Sequence, residues 1–368
     1  MMHQLSVTET VPVSNDSLVQ CEVPYDAGRL PLVVLYSAVL VVGLPSNLLT
    51  LYLTWLQVWR GNVLSVYLWS LSLCDLTYLG TLPLWATYVN RHHEWPWSSL
   101  ACKVTGYIFF NNMYVSIFLL VMVSIDRYVA VVYCVESRGL RRQRHAVAVS
   151  LGIVLLVALG HLPVFSMREG DAATGDRRCF EPSRSSSVVT GFSYTRVVVG
   201  FLIPLLLLIV TNHRILSSVQ LSTGLRRKQK DHVRRLAVAV VVLFLVCFAP
   251  YHLILLIRAM LSHFPRLDSN TCLFERKLYT PYTISLGLST INSAVNPILY
   301  VLSSDNIRKE LSRGLMQLCS CRRNQNLRTQ TDSSQNQKDA TKNSSEESKI
   351  TKTTNSPAQR LPEEATGL

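Results

Sequence analysis

The chain has 368 residues, 49% of them apolar and only 16% charged, with a formal net charge of +13. At about 100–200 residues per soluble domain that length suggests two or three domains, yet the apolar residues are gathered into long uncharged blocks. Nine cysteines spread over so long a chain do not make a secreted disulfide scaffold, and a nucleic-acid binder would explain the basic balance but not the blocks. The composition reads as a multi-spanning membrane protein with no nucleic-acid partner.

In chain order, residues 1–29 are polar, lack the apolar core of a cleavable signal, and hold one glycosylation acceptor, Asn15 of Asn15-Asp16-Ser17. The first apolar block is Leu30–Trp59, and the second, Gly61–Asn90, contains a single acid, Asp75. Val104–Ile125 is uncharged and ends at Asp126-Arg127, and His145–Met167 has only histidines as ionisable groups. A fifth block begins near Val188, carries Arg196 and runs through Val197–Val210. Leu236–Ile257 and Leu278–Ser304 complete the set. Each is about 20–30 residues, long enough to span a bilayer at roughly 1.5 Å per residue. Lipid-exposed backbone must satisfy its own hydrogen bonds, so the blocks are expected to be helices. The expected fold is an all-α membrane protein, a seven-transmembrane helix bundle over residues 30–303. Interior prolines (Pro45, Pro83, Pro163, Pro204, Pro250, Pro297) are tolerable there because neighbours and water re-satisfy the freed carbonyls.

Residues 304–320 follow with an amphipathic spacing of Ile307, Leu311, Leu315 and Leu318, the mark of a short interfacial eighth helix. Cys319 and Cys321 beside it suit S-palmitoylation. From 321 to 368 the chain is a Ser/Thr/Asn/Gln-rich cytoplasmic tail, expected to be disordered.

Seven spans put the termini on opposite sides, and charge decides which. The segments after spans one, three, five and seven, up to Arg323, hold 17 Lys and Arg against four acids, whereas the other face holds 12 bases and 11 acids. The positive-inside rule places the first set in the cytosol and residues 1–29 outside, as for a multi-pass plasma-membrane protein. Cys21, Cys102, Cys179 and Cys272 then lie on the oxidising face, where three pairings are open to them.

A carboxylate within the membrane is a functional hypothesis by default, and Asp75 is one. Asn112 and Ser116 face one way from span three, and Asn292 and Asn296 do so from span seven. These groups could converge with Asp75 on a small hard cation, a water cluster, or a satisfied polar layer.

Asn47, Asp75, Asp126-Arg127-Tyr128, Pro204, Cys247-Phe248-Ala249-Pro250 and Asn296-Pro297-Ile298-Leu299-Tyr300 occur in order. As a set over about residues 30–320 they resemble the rhodopsin-like (class A) G-protein-coupled receptors. Finer strings, among them Thr81-Leu82-Pro83-Leu84-Trp85 and Val246-Cys247-Phe248-Ala249-Pro250-Tyr251-His252, resemble the branch of proton-sensing, lysophospholipid and oxidised-fatty-acid receptors. The resemblance implies no enzymatic activity and no cofactor apart from an allosteric sodium ion at Asp75, Asn112, Ser116, Asn292 and Asn296. It implies disulfides Cys102–Cys179 and Cys21–Cys272. It implies coupling to a heterotrimeric G protein through Asp126, Arg127 and Tyr128, with Ile117, Pro204 and Phe244 as connector, Phe248 and Pro250 as switch, and Asn296, Pro297 and Tyr300 as support. Receptor kinases and arrestin would act through the tail.

Three departures stand out: Ile153 in place of a span-four tryptophan, Asn212 in place of a tyrosine, and Lys230 where some members carry an acid that locks the arginine. No such lock on Arg127 is expected. Arg196 lies eight residues outward of Pro204, too deep for an ordinary rim charge, and a guanidinium there suits a carboxylate or phosphate. The family framework sets Tyr251, His252, Tyr282 and Phe201 around it, with Arg258 above. An acidic lipid ligand fits, an oxidised fatty acid or fatty-acyl conjugate before a lysophospholipid. The bland alternative is that Arg196 pairs with Glu181 of the second outer loop and binds no ligand. Proton sensing through His92, His93, His161 and His263 competes as the input. Against it, Asn296 stands where proton-sensing members carry an acid, and residues 145–167 contain none. A transporter is the rival class, but no repeat relates the halves.

Overall fold

The computed structural model describes residues 24–133, 141–166, 178–179, 187–221, 227–261 and 271–303, and every regular element among them is helical. In chain order they are α1 (Arg29–Trp59), α2 (Val63–Leu79), α3 (Leu82–Asn90), α4 (Ser99–Val132), α5 (Gln143–His161), α6 (Ser187–Val197), α7 (Ile203–Leu221), α8 (Arg227–Leu261) and α9 (Thr271–Ser303). Six stretches are long and apolar enough to cross a membrane, with α2–α3 and α6–α7 each acting as one. Helix α9 completes a seven-helix bundle. By contacts the chain divides at Asp305, and the unit from Asn306 onward lies outside the described residues.

The bundle is inverted relative to a water-soluble protein. Leu156, Val41 and Trp59 are 73%, 72% and 75% exposed, whereas Asn47, Ser72, Asp75, Ser116, Ser293 and Asn296 are fully buried. Lipid solvates the apolar surface without cost, so the polar side chains must meet one another inside. Helix α4 is the central strut, packed on α2, α5 and α7. It begins at the N-cap Ser98, whose Oγ accepts from the Ala101 amide at 3.3 Å. The Cys102–Cys179 bridge ties it to the segment between α5 and α6, above a core of Tyr36, Tyr78, Leu79, Leu82, Tyr88 and Trp95.

Proline bends the helices less uniformly than the sequence suggests. Pro45, Pro250 and Pro297 are inside helices, as is Pro281. Pro83 instead opens α3, Pro163 lies in a 3₁₀ turn, and Pro204 is the second residue of α7. The physical reason is that a proline ring crowds the carbonyl four residues earlier. Span two therefore breaks at Gly80-Thr81, where Thr81 Oγ1 donates to the Tyr78 carbonyl at 2.7 Å. Span five widens into a π turn over Val198–Leu202, ahead of Pro204. Within that turn Gly200 lies against the Tyr114 ring so closely that no side chain would fit. Lower down, Asn212 and Thr211 of α7 both meet Ser124 Oγ of α4, at 3.3 and 2.7 Å.

Candidate functional site: a polar core between two arginine clusters

At mid-depth the buried Asp75 carboxylate accepts from Ser293 Oγ at 2.7 Å and from Asn296 Nδ2 at 2.8 Å. The surroundings of Asn112 orient its amide nitrogen toward Asp75 Oδ1 at 3.1 Å. Asn47 Nδ2 donates to the Ser293 carbonyl at 2.7 Å, joining α1 to the cluster. Ser116 Oγ and Asn296 Oδ1 are buried without partners. Asn292 is buried, but among the described hydrogen bonds none joins it to Asp75. Ser293, one residue on, takes that contact. Sequence spacing alone could not choose between the two neighbours, because a helix of α9's length turns its polar face gradually.

Above this layer Phe244, Phe248 and Ile117 are buried, and Phe244 meets Phe248 edge-on at 5.2 Å. Phe201, in the π turn, stacks on Phe244 at 5.7 Å and on His252 at 4.7 Å. His252 Nδ1 donates to the Phe248 carbonyl at 2.7 Å, so in the neutral ring Nε2 accepts from Tyr114 Oη at 3.1 Å. His161 stacks on Tyr114 and Phe110, far from an outer-surface position, with Nδ1 on the Val157 carbonyl at 2.9 Å.

Arg196 lies over Phe110 at 4.2 Å and Phe192 at 4.4 Å, and Nη1 reaches Tyr251 Oη at 3.5 Å. Its Nε is buried without an acceptor. Among the described residues no carboxylate pairs with it; Glu181 lies outside them. Arg258 sits over Tyr282 at 5.4 Å, and Tyr282 is 6.2 Å from Tyr251. The residues read from the sequence as a ligand set are thus one connected cluster. Phe110 and Phe192, which complete it, carried no sequence signal beyond being aromatic.

A cleft enclosing about 630 Å³ of space, open solvent included, lies on the α1, α3 and α9 side of that cluster. Tyr36, Trp85, Tyr88, Phe109, Phe110, His93, Tyr279 and Tyr282 line it, so Tyr282 is the sole member of the expected ligand set in its wall. The turn after α3 holds His92 and His93 at positive φ, 54° and 61°. That conformation turns His93 inward, where Tyr279 Oη lies 2.8 Å from Nδ1, and leaves His92 outside between Asp26 and Arg29, each at 2.8 Å.

At the inner end of α4, Asp126 meets two guanidinium groups. Arg141 binds it bidentately at 2.9 and 2.8 Å, and Arg127 touches one oxygen at 3.3 Å. Arg127 Nε is buried with no acceptor. Tyr128 Oη is 3.5 Å from Tyr133 Oη. Lys230 Nζ donates to the Gln220 carbonyl at 2.9 Å and takes no part. Arg141 entered the sequence reading as one of many cytosolic bases; nothing in its spacing marks it as the partner of Asp126. Asn15, Cys21, His263, Cys319 and Cys321 lie outside the described residues, and of Cys272 and Tyr300 only the helical backbone is described.

Seven apolar helices around a buried carboxylate, with an aromatic-held cation toward one end and an acid–arginine triad at the other, have the build of a signalling receptor of the membrane. The sequence model of the 7 transmembrane receptor (rhodopsin family) matches residues 46–300. The chain is 51% identical over 294 residues to the mouse "Probable G-protein coupled receptor 132", covering 80% of this chain and 76% of that one. It is 34% identical over 302 residues to the bovine "G-protein coupled receptor 68", covering 82% and 81%. It is also 30% identical over 290 residues to the zebrafish "Apelin receptor B", covering 75% and 80%. The chain belongs to the rhodopsin family of G-protein-coupled receptors: a multi-pass membrane protein that couples to G proteins and is not an enzyme.

Proposed function

We propose that this receptor responds to an acidic lipid, an oxidised free fatty acid or fatty-acyl conjugate, whose head group is read by Arg196. The observation that carries the reading is a deep guanidinium held by ring faces and a phenol, with no carboxylate partner among the described residues. A cation over aromatic rings is stabilised but keeps its in-plane N–H donors free, and those suit a carboxylate. The apolar cavity beyond Phe110 suits an acyl chain.

Signalling is a population shift between two arrangements of the same bundle. Ligand beside Arg196 bears on Tyr114, His252 and Phe201, and through the stacking of Phe201 on Phe244 reaches Phe248 and the connector residues Ile117 and Pro204. The polar core below fits a small cation, since it combines one carboxylate with hydroxyl and amide oxygens that are buried without partners. Asp75, Ser116, Asn112 and Asn296 would hold sodium there, which would favour the resting arrangement. At the inner end Arg127 leaves Asp126 to meet the G protein. On this reading residues 1–29 are extracellular at the plasma membrane, and the cytosolic tail serves receptor kinases and arrestin.

The test is nucleotide exchange by a heterotrimeric G protein with the purified receptor in lipid nanodiscs. Fatty acids should accelerate it in a dose-dependent way. Lipid or ion flux through the receptor without accelerated exchange would reject the reading in favour of a transporter. Protons form a second, modulatory input, favoured by the exposed His92 between Asp26 and Arg29. Asn296→Asp should steepen the response between about pH 6 and 8; a flat curve would remove that input.

A further inference from the structure

Trp85 of α3 stands in the cavity wall, 6.1 Å from Phe109 and 6.0 Å from Tyr88 by ring centroids. Its indole nitrogen is buried and has no hydrogen-bond acceptor. The neighbouring Trp95 shows what is missing: its Nε1 donates to the Ser98 carbonyl at 3.0 Å. An indole N–H only donates, and native structures satisfy nearly every buried donor. Other polar groups of the wall are engaged, among them His93 with Tyr279, Tyr88 Oη with the Cys179 amide, and Thr283 Oγ1 with the Thr280 carbonyl. The described lining contains no Lys, Arg, Asp or Glu. It therefore offers the buried, unpartnered indole N–H to a neutral acceptor, in surroundings otherwise largely fit for hydrocarbon.

The same wall reaches the cation. Phe110 lines the cavity and lies 4.2 Å beneath the Arg196 guanidinium, and Phe109 bridges Phe110, at 5.2 Å, to Trp85. We propose that Trp85 is a specificity-determining residue: its indole N–H donates to an oxygen carried part-way along an acyl chain whose carboxylate lies on Arg196. The receptor thereby selects oxygenated fatty acids over their unoxidised parents. The inference rests on the carboxylate-lipid reading of Arg196 and adds the second contact point. Because the donor needs only an acceptor, a ketone serves as well as a hydroxyl.

Equilibrium binding to the full-length receptor in nanodiscs tests it with stearic acid, its mid-chain hydroxy derivative and its mid-chain keto derivative. Wild-type receptor should bind both oxygenated acids about tenfold more tightly than stearic acid. Trp85→Phe keeps a ring and removes the donor, so all three acids should bind it with the affinity of stearic acid for wild type. Arg196→Gln should weaken all three together and preserve the preference. The inference is overturned if wild type shows no preference between acids it binds, or if the preference survives in Trp85→Phe. Should Trp85→Phe not reach the membrane, the order of the three acids on wild type decides. If none of the acids binds wild type, the carboxylate-lipid reading itself fails, and this inference with it.

Discussion

Arginines gather near both ends of α4, Arg196 of α6 beside its outer half and Arg127 with Arg141 at its C-terminal end, and the two groups are held in opposite ways. At the outer end Arg196 rests on Phe110 and Phe192 with a long contact to one phenol, and no acid among the described residues pairs with it. At the inner end Arg127 and Arg141 crowd a single carboxylate, Asp126, and Arg141 takes the better geometry on both oxygens. The difference is one of unmet demand. Outside, a cation has no anion among the described residues, which is the arrangement the acidic-lipid proposal calls for. Inside, two cations share an anion, so releasing Arg127 costs less than breaking an exclusive pair, because Arg141 keeps Asp126 neutralised. The outer end is receptive and the inner end is exchangeable.

The largest effect should come from the outer cation. Arg196→Ala should lower the potency of a carboxylate lipid about a hundredfold in G-protein activation while the receptor still reaches the cell surface, since a charge-assisted pair is at stake. An unchanged dose response would leave Arg196 as a packing residue and dissolve the contrast. Asp75→Asn, between the two ends, should abolish any dependence of basal nucleotide exchange on sodium, measured against a bulky organic cation. A variant that remains as sodium-sensitive as wild type would exclude the polar core as the ion's site. The inner end sharpens the comparison with a smaller effect. Arg141→Gln leaves Arg127 as the sole partner of Asp126, so basal exchange should fall several-fold, and Arg141→Lys, which cannot form the bidentate fork, should restore only part of it. A rise in basal exchange would show that Arg141 restrains the receptor instead.

Much of the architecture is legible in the amino-acid order because lipid enforces it. Seven nearly uncharged blocks of spanning length appear as seven helical spans, and the lone acid of the second block is where Asn296, Asn112 and Ser293 gather. The Cys102–Cys179 bridge, which the cysteine positions alone left open among three pairings, followed from the family resemblance and is present. Contacts between helices are less legible. They depend on rotation and crossing of neighbouring spans, which periodicity within one span does not report. Ser293 in place of Asn292 at Asp75 is a difference of one residue around α9. Arg141 was masked by its own abundance, one base among 17 in segments that charge counting treats as interchangeable. The break at Gly80-Thr81 falls before Pro83 because the ring disturbs the turn that precedes it. The cavity lies beside α3 and α9 through that break, away from most of the residues grouped around Arg196. His93 looked like a surface histidine until its positive φ turned it inward onto Tyr279.

The central claim is that Arg196 waits for a carboxylate, and one matched pair of ligands tests it most directly. A fatty acid and its methyl ester share chain and shape and differ in charge at the head. Binding of both should be measured on wild-type receptor and on Arg196→Gln. Wild type should prefer the acid by about tenfold or more, and Arg196→Gln should bind the two alike. Equal binding of acid and ester by wild type, or a preference that survives in Arg196→Gln, would contradict the account.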